Sequence, residues 1–250
     1  MQNELLLIVP AYNEAKNIEA VVDNLTANYP EYDYIVINDG SRDETGDICR
    51  RRGYNFLDMQ INVGLTGGVQ AGMMYAHRHG YKYAMQFDGD GQHDPAFIAS
   101  LLNVMKQNKS IDVVVGSRFV TQRKPFSARM MGSFLIGTIL FLTTGRRIKD
   151  PTSGMRIFGE KAIRALAETA DYGPEPDTLA HLIRSGAVVK EVQVTMQERL
   201  AGESYLSFTR SIRYMMHMCA SILFVQFCRK KPPYFKKKRV KKIREKGEAK

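Results

Sequence analysis

Through its first half the chain alternates short apolar runs with stretches of helical periodicity, and that alternation restricts its fold more than any other feature. Leu5–Val9, Tyr32–Ile37, Tyr54–Gln60, Tyr81–Phe87 and Ile111–Val115 read as strands. Between them, Ala15–Asn28 sets Ile18, Val21, Val22 and Leu25 on one helical face, and further helices are predicted from Asp43 to Gly53, from the Asn62–Gly68 turn to His79, and after Pro95. Strands joined by helices at this spacing form βαβ units, because parallel strands need crossovers of a dozen residues or more. The expectation is a doubly wound α/β domain with a mostly parallel sheet covered on both faces. Polar clusters follow the first four strands: Tyr12-Asn13-Glu14, Asn38-Asp39-Gly40-Ser41, Asn62–Gly68 and Asp88–Gln92. Four such loops converging on one sheet edge make a crevice site.

The richest cluster is Asp88-Gly89-Asp90-Gly91-Gln92-His93-Asp94-Pro95. Asp94 before Pro95 has the form of a helix N-cap with proline at the first helical position. Asp88 and Asp90 then stand at the carboxyl end of a strand. Two hard oxygen ligands there suit Mg²⁺ or Mn²⁺ shared with substrate phosphates, although the same residues also fit a solvated acidic turn. Asp39 fits either a contact to base N–H groups or a cap for the next helix. Gly64, Gly67, Gly68 and Gly72 do not form a dinucleotide fingerprint, which belongs on the first βα turn; Pro10-Ala11-Tyr12-Asn13-Glu14 stands there instead. These glycines read as positions for close helix packing and for backbone approach to a ligand. His77 and His79, two apart on a helix, face different ways and make no metal pair, and His93 reads as a supporting or structural residue.

The net charge of +10 belongs to the carboxyl end, where Arg229–Lys250 holds twelve Lys/Arg and two Glu, leaving the remaining residues balanced. A neutral body with a basic tail argues against nucleic acid as a partner of the folded domain, and the tail's composition predicts disorder. Cys49, Cys219 and Cys228 form no disulfide framework or zinc motif and fit a reducing cytosol. Leu5–Val9 is too short for a signal peptide. The second half is less regular. Ser127–Thr144 reads as a long apolar helix, Asp150–Arg156 as a polar turn, Lys161–Thr169 and Asp177–Ser185 as helices, Val188–Val194 as a strand and Tyr205–Cys228 as an apolar helix. Within the last, Tyr214–Cys228 carries no charge over fifteen residues, short of the roughly 20 that span a bilayer. It fits a buried core helix, but the basic tail behind it favours an interfacial helix on anionic lipid.

Ile8-Val9-Pro10-Ala11-Tyr12-Asn13-Glu14, Asn38-Asp39-Gly40-Ser41, Asp88-Gly89-Asp90-Gly91-Gln92 and Gly116-Ser117-Arg118, in this order, resemble the inverting GT-A glycosyltransferases of the second and largest sequence family. Asp150-Pro151-Thr152-Ser153-Gly154-Met155-Arg156 further resembles a block of the dolichyl- and polyprenyl-phosphate sugar synthases. The resemblance covers roughly residues 4–204. It implies a metal-dependent transfer from a nucleoside-diphosphate sugar, with Asp39 on the base and Pro10, Tyr12 and Glu14 lining the nucleotide pocket. It implies Asp88, Asp90 and Gln92 as metal and diphosphate ligands, and Arg118, Arg129 and Ser133 as holders of an acceptor phosphate. Arg199-Leu200-Ala201-Gly202-Glu203-Ser204 resembles the family's acceptor loop, with Ala201 in place of its first glycine; Asn38 likewise replaces a frequent aspartate.

Glu175-Pro176-Asp177 is the candidate for a base, needed if the acceptor is a hydroxyl and not if it is an anionic phosphate; Asp177 also sits where an N-cap would. The expected organisation is a catalytic domain over 1–204, an interfacial helix over 205–228 and a disordered polybasic tail over 229–250. The expected location is the cytoplasmic face of the cell membrane, peripherally bound. The expected acceptor is a polyprenyl phosphate or a hydroxyl of a growing glycan, and the reading leaves room for partner membrane proteins or a homo-oligomer. Two other classes compete: a non-catalytic nucleotide-sugar-binding or scaffold protein, and a pyrophosphorylase. The latter needs a glycine- and arginine-rich loop after the first strand, which the sequence lacks.

Overall fold

The computed structural model describes residues 3–122, 128–169, 173, 175–196 and 208–235. Among them, seven strands form one sheet in the order β3-β2-β1-β4-β6-β5-β7. They are β1 (Leu5–Ala11), β2 (Asp33–Asn38), β3 (Phe56–Asp58), β4 (Tyr83–Gln86), β5 (Val113–Ser117), β6 (Arg156–Gly159) and β7 (Val189–Gln193). All neighbouring pairs are parallel except those of β6, which runs against both β4 and β5. The helices are α1 (Ile18–Asn28), α2 (Thr45–Arg52), α3 (Gly64–Arg78), α4 (Ile98–Gln107), α5 (Ala128–Thr144), α6 (Glu160–Glu168), α7 (Pro176–Ser185) and α8 (Phe208–Ala220). A π-helical stretch, Ser221–Val225, and a last turn, Gln226–Cys228, continue α8. The doubly wound, mostly parallel α/β reading holds.

The two-residue period of β1 divides the core. Leu6 and Ile8 pack into one cluster with Met73 of α3, Leu140 of α5, Ile163 of α6 and Leu179 of α7. Leu5, Leu7 and Val9 face the other way, against Ile18 and Val22 of α1, Ile48 of α2 and Leu101 of α4. Burying each such aliphatic side chain contributes about 1.5–3 kcal/mol, so a sheet covered on both sides is the stable outcome for these runs.

The strand that sequence reading missed is β6. Arg156-Ile157-Phe158-Gly159 has four residues and no alternation, and it follows directly on a polar turn. Its reversal matters for the site, because Gln86 and Val115 both register with Arg156. The Asp150–Met155 turn therefore lands on the edge where β1, β2, β4 and β5 end. The second departure concerns the carboxyl end. The described part of the segment read as a disordered tail is packed: Pro232 and Phe235 are buried, and Tyr234 lies over the Arg164 guanidinium and bonds Glu168 of α6. Residues 236–250 lie outside the described residues.

Candidate active site

At the end of β1 the chain turns through Asn13, whose φ of 56° is left-handed, a conformation asparagine tolerates better than most residues. Its side-chain oxygen accepts from the Arg42 amide at 2.9 Å, its own amide donates to Ser41 Oγ, and the Glu14 amide donates to Thr45 Oγ1. The first loop is thereby fastened to the second. Asp39 in turn fastens the second to the third, its carboxylate accepting from the Val63 amide at 2.8 Å and from Asn62 Nδ2 at 3.0 Å. It does not cap α2, whose first-turn amide at Thr45 is held by Asp43.

On the fourth loop, Gln86 Nε2 donates to Asp88 Oδ1 at 2.7 Å. The Asp88 amide donates to Nδ1 of the buried His93, and His93 Nε2 lies 3.3 Å from Asp88 Oδ2. Because Nδ1 accepts, a neutral ring carries its proton on Nε2, directed at the carboxylate. A Cβ on Gly154, from the Asp150–Arg156 turn, would stand 3.1 Å from Asp88 Oδ2 and 3.3 Å from Gln86 Nε2, so that turn backs the carboxylate closely. Asp90 is buried and accepts from the Gln92 amide, and Asp94 caps the following 3₁₀ turn through the Ala96 amide as predicted. Pro10, Tyr12, Glu14, Asp39, Asp88 and Asp90 line one cleft of about 420 Å³, with Gly64 and Leu65 on its far wall.

At the end of β5, the Arg118 Nε and Nη2 form a two-pronged pair with Asp150, at 2.7 and 2.8 Å. Asp150 is fully buried and its own amide is held by Glu191 of β7. The fork occupies one edge of the guanidinium.

Residues 6–167 match the family model described as Glycosyl transferase family 2. The chain belongs to that family. The undecaprenyl-phosphate mannosyltransferase of Micrococcus luteus is 30% identical over 215 residues, covering 81% of this chain and 87% of that protein. The polyprenol monophosphomannose synthase of Mycolicibacterium smegmatis is 27% identical over 215 residues, covering 81% and 80%. Among solved structures, glucosyl-3-phosphoglycerate synthase from Mycobacterium tuberculosis, in complex with Mn²⁺ and UDP-glucose, superposes with a TM-score of 0.61 at 16% identity, covering 88% of this chain and 79% of that one. The GT-A fold is thus shared, and the chain is a glycosyltransferase.

Of the remaining candidate residues of this glycosyltransferase, Ser133, Glu175 and Asp177 do not line that cleft. Ser133 lines a second groove of about 450 Å³ with Phe119, Phe134, Phe141, Arg147 and Lys149. Arg129 falls in the first turn of α5, where only the backbone is described, and Arg199 lies outside the described residues. Glu175, not Asp177, is the N-cap position of α7, with Pro176 next. Burial, reinforced by the Asp177 charge, pushes the Glu175 carboxyl up from the ordinary carboxylate range. Asp177 is buried, its Oδ2 accepting from Ser221 Oγ at 2.7 Å and lying 3.1 Å from the Arg229 guanidinium. Neither carboxylate lines the cleft of Asp39, Asp88 and Asp90. Sequence reasoning gave Asp150 no role, nor Gln86, since a buried acid in a polar turn looks like any turn residue until its partner 32 positions away is placed beside it.

Proposed function

We propose that this glycosyltransferase moves a sugar from a nucleoside-diphosphate sugar to a polyprenyl phosphate, with inversion at the sugar carbon, while bound peripherally to an anionic, cytoplasmic membrane face. The observation that carries the acceptor class is the pairing of carboxylates. Asp177 is buried against Ser221 and Arg229, whereas the Arg118 guanidinium is held by Asp150 with its Nη1 edge unpaired among the described residues. A hydroxyl acceptor needs a carboxylate to take its proton; a phosphate arrives as an anion and needs a cation to hold it. The relatives named for undecaprenyl and polyprenol phosphates support the same class.

The residues present fit a divalent metal. The described residues hold no cluster of three acid, histidine or cysteine side chains that would make a protein cage, and Asp88 and Asp90 face the cleft as a pair of hard oxygens. That is the donor set of an ion that completes its shell from substrate phosphates, and the Mn²⁺ in the related structure accords with it. Asp88 and Asp90 would hold Mg²⁺ or Mn²⁺, with Gln92 beside them, and the bound ion would neutralise the departing nucleoside diphosphate. Asp39 would accept from the base, with Pro10, Tyr12 and Glu14 shaping the pocket. Arg118, Ser133 and Arg129 would orient the acceptor phosphate for attack from the opposite face of the sugar, with Arg199 closing over it.

Among the described residues, no helix is long and apolar enough to cross a membrane. The support for docking is a pair of packed helices with apolar outer faces. α5 turns Ile136 and Leu140 inward and leaves Phe134 66% and Leu142 74% exposed; beyond α8, Phe224 is 70% exposed. Sequence reading assigned a membrane-facing role only to the second. Basic residues behind such a face add about 1 kcal/mol each on anionic lipid.

Incubating the protein with a panel of nucleotide sugars, a short polyprenyl phosphate and Mg²⁺ or Mn²⁺ tests the reading. One donor should yield a lipid-linked sugar, and excess EDTA should stop the reaction. Transfer only to a sugar hydroxyl, with Glu175→Gln abolishing it, would reject the phosphate acceptor.

A further inference from the structure

Asp177 is a candidate base by sequence, yet among the described residues its hydrogen bonds and ion pair go to Ser221, to Arg229 just beyond the carboxyl-terminal helix, and to the Thr178 amide of its own turn. We propose that Asp177 is a positioning residue that latches the membrane-facing helix to the catalytic domain and thereby sets the acceptor side of the site. The acceptor part of this inference rests on the lipid-phosphate reading above; the latch itself does not.

One carboxylate holds both ends of a short segment. Ser221, its donor at 2.7 Å, opens the π-helical stretch, and Arg229, 3.1 Å away, comes just after the last helical turn. The other oxygen accepts from the Thr178 amide in the first turn of α7, where the helix dipole favours a negative charge. Between the two anchor points the inner residue, Ile222, is fully buried, and Leu223, Phe224 and Phe227 face out. A π-helical turn carries one extra residue and so rotates the turns beyond it, which leaves the phase of the outer face to be set by the groups that hold the inner face. Arg184, also on α7, lies 3.5 Å over the Phe227 ring and adds a second tie. The chain then meets α6 through Tyr234, over Arg164, and Phe235 joins the core, so the stretch from Ser221 to Phe235 is held at both ends.

The helix so held is the one α5 leans on. A Cβ on Gly132 would collide with the Met215 thioether, and Ser133, the next residue, lines the second groove. Ser133 and Arg129 share α5. Loosening α8 should therefore move the acceptor groove while leaving the donor cleft, whose loops are bonded to one another, in place.

The test uses the full-length protein. Hydrogen–deuterium exchange over residues 213–228, without substrate, should be about tenfold faster in both Asp177→Asn and Arg229→Gln, because local opening is what the latch opposes. The double variant should be no worse than the worse single, since a contact shared by two residues is lost only once. With the donor found in the nucleotide-sugar panel, both single variants should raise the KM for a short polyprenyl phosphate about tenfold, with kcat within about threefold and the pH–rate profile unmoved. If Asp177→Asn does not fold, Ser221→Ala removes one contact, spares the ion pair and should shift exchange and KM the same way to a smaller extent. A fall in kcat of about 10²-fold or more in Asp177→Asn, with Arg229→Gln like wild type, would make Asp177 a base and overturn the latch. Wild-type exchange in both variants would overturn it equally. A wild-type enzyme that never glycosylates polyprenyl phosphate would instead reject the acceptor reading, and exchange alone would then decide the latch.

Discussion

The proposed donor side and the proposed acceptor side of this molecule are built in different ways. Around the donor cleft, consecutive loops bond to one another at the ends of parallel strands: Asn13 to Arg42 and Ser41, Glu14 to Thr45, Asp39 to Asn62 and Val63. On the acceptor side, single buried charges tie together segments distant in sequence, Arg118 to Asp150 and Asp177 to Ser221 and Arg229. The first kind of construction spreads its cohesion over many backbone donors, so one side chain can change without dislodging the rest. In the second, one ion pair carries each junction, and removing either member takes the counter-charge away from a buried group, which is destabilising. Chemistry and stability should therefore separate on the donor side and move together on the acceptor side.

The sharpest test is at the proposed metal pair. Asp88→Asn or Asp90→Asn should cut kcat by about 10²–10³-fold or more, the scale of losing stabilisation of a developing charge, with little change in melting temperature. A large loss of stability in either variant would break the contrast from the donor side. Next in size is Arg118→Ala. It should lower kcat/KM for polyprenyl phosphate by a factor corresponding to about 2–4 kcal/mol and leave nucleotide-sugar affinity intact. Because the buried Asp150 then loses its counter-charge, keeping neutral donors such as the residue-118 amide and Thr152 Oγ1, thermal unfolding should also shift down, as it does not for Asp88→Asn.

Truncation sharpens the comparison at the carboxyl end. Removing residues 236–250, which hold nine Lys/Arg, should weaken binding to anionic vesicles at low salt, less so at high salt, and leave the melting temperature near wild type. Removing 229–250 should lower the melting temperature as well, since Arg229, Pro232 and Phe235 go with it. The smallest expected effect is at Glu175. Its carboxyl is raised in the folded state by burial, with the Asp177 charge adding to it, so the folded protein holds that proton more tightly than the unfolded chain. The associated stability is present at low pH and is lost as pH rises from the ordinary carboxylate range through the raised pKa. Glu175→Gln should remove that loss and unfold at a slightly higher temperature than wild type at neutral pH. A lower melting temperature at pH 7 would show that the carboxylate is a needed partner in the Asp177 cluster.

Much of the donor side was legible in the sequence because its signals are local. Period-two and period-3.6 patterns name strands and helices, and a parallel sheet puts every strand's carboxyl end on one edge, so Tyr12, Asp39, Asp88 and Asp90 had to converge once the alternation was recognised. Asp94-Pro95 announced its cap for the same reason. What the sequence could not express was the pairing of distant segments. β6 is too short to carry a period, yet its reversed direction brings the Asp150 turn to the site edge, where Gly154 backs Asp88 and Asp150 holds Arg118. Composition made Arg229 the start of a disordered tail, and only the folded chain places it against a buried Asp177, 52 residues back in sequence. A carboxylate's role depends on which of its oxygens are occupied, and occupancy is set by neighbours in space, so tertiary structure alone could separate a base from a latch.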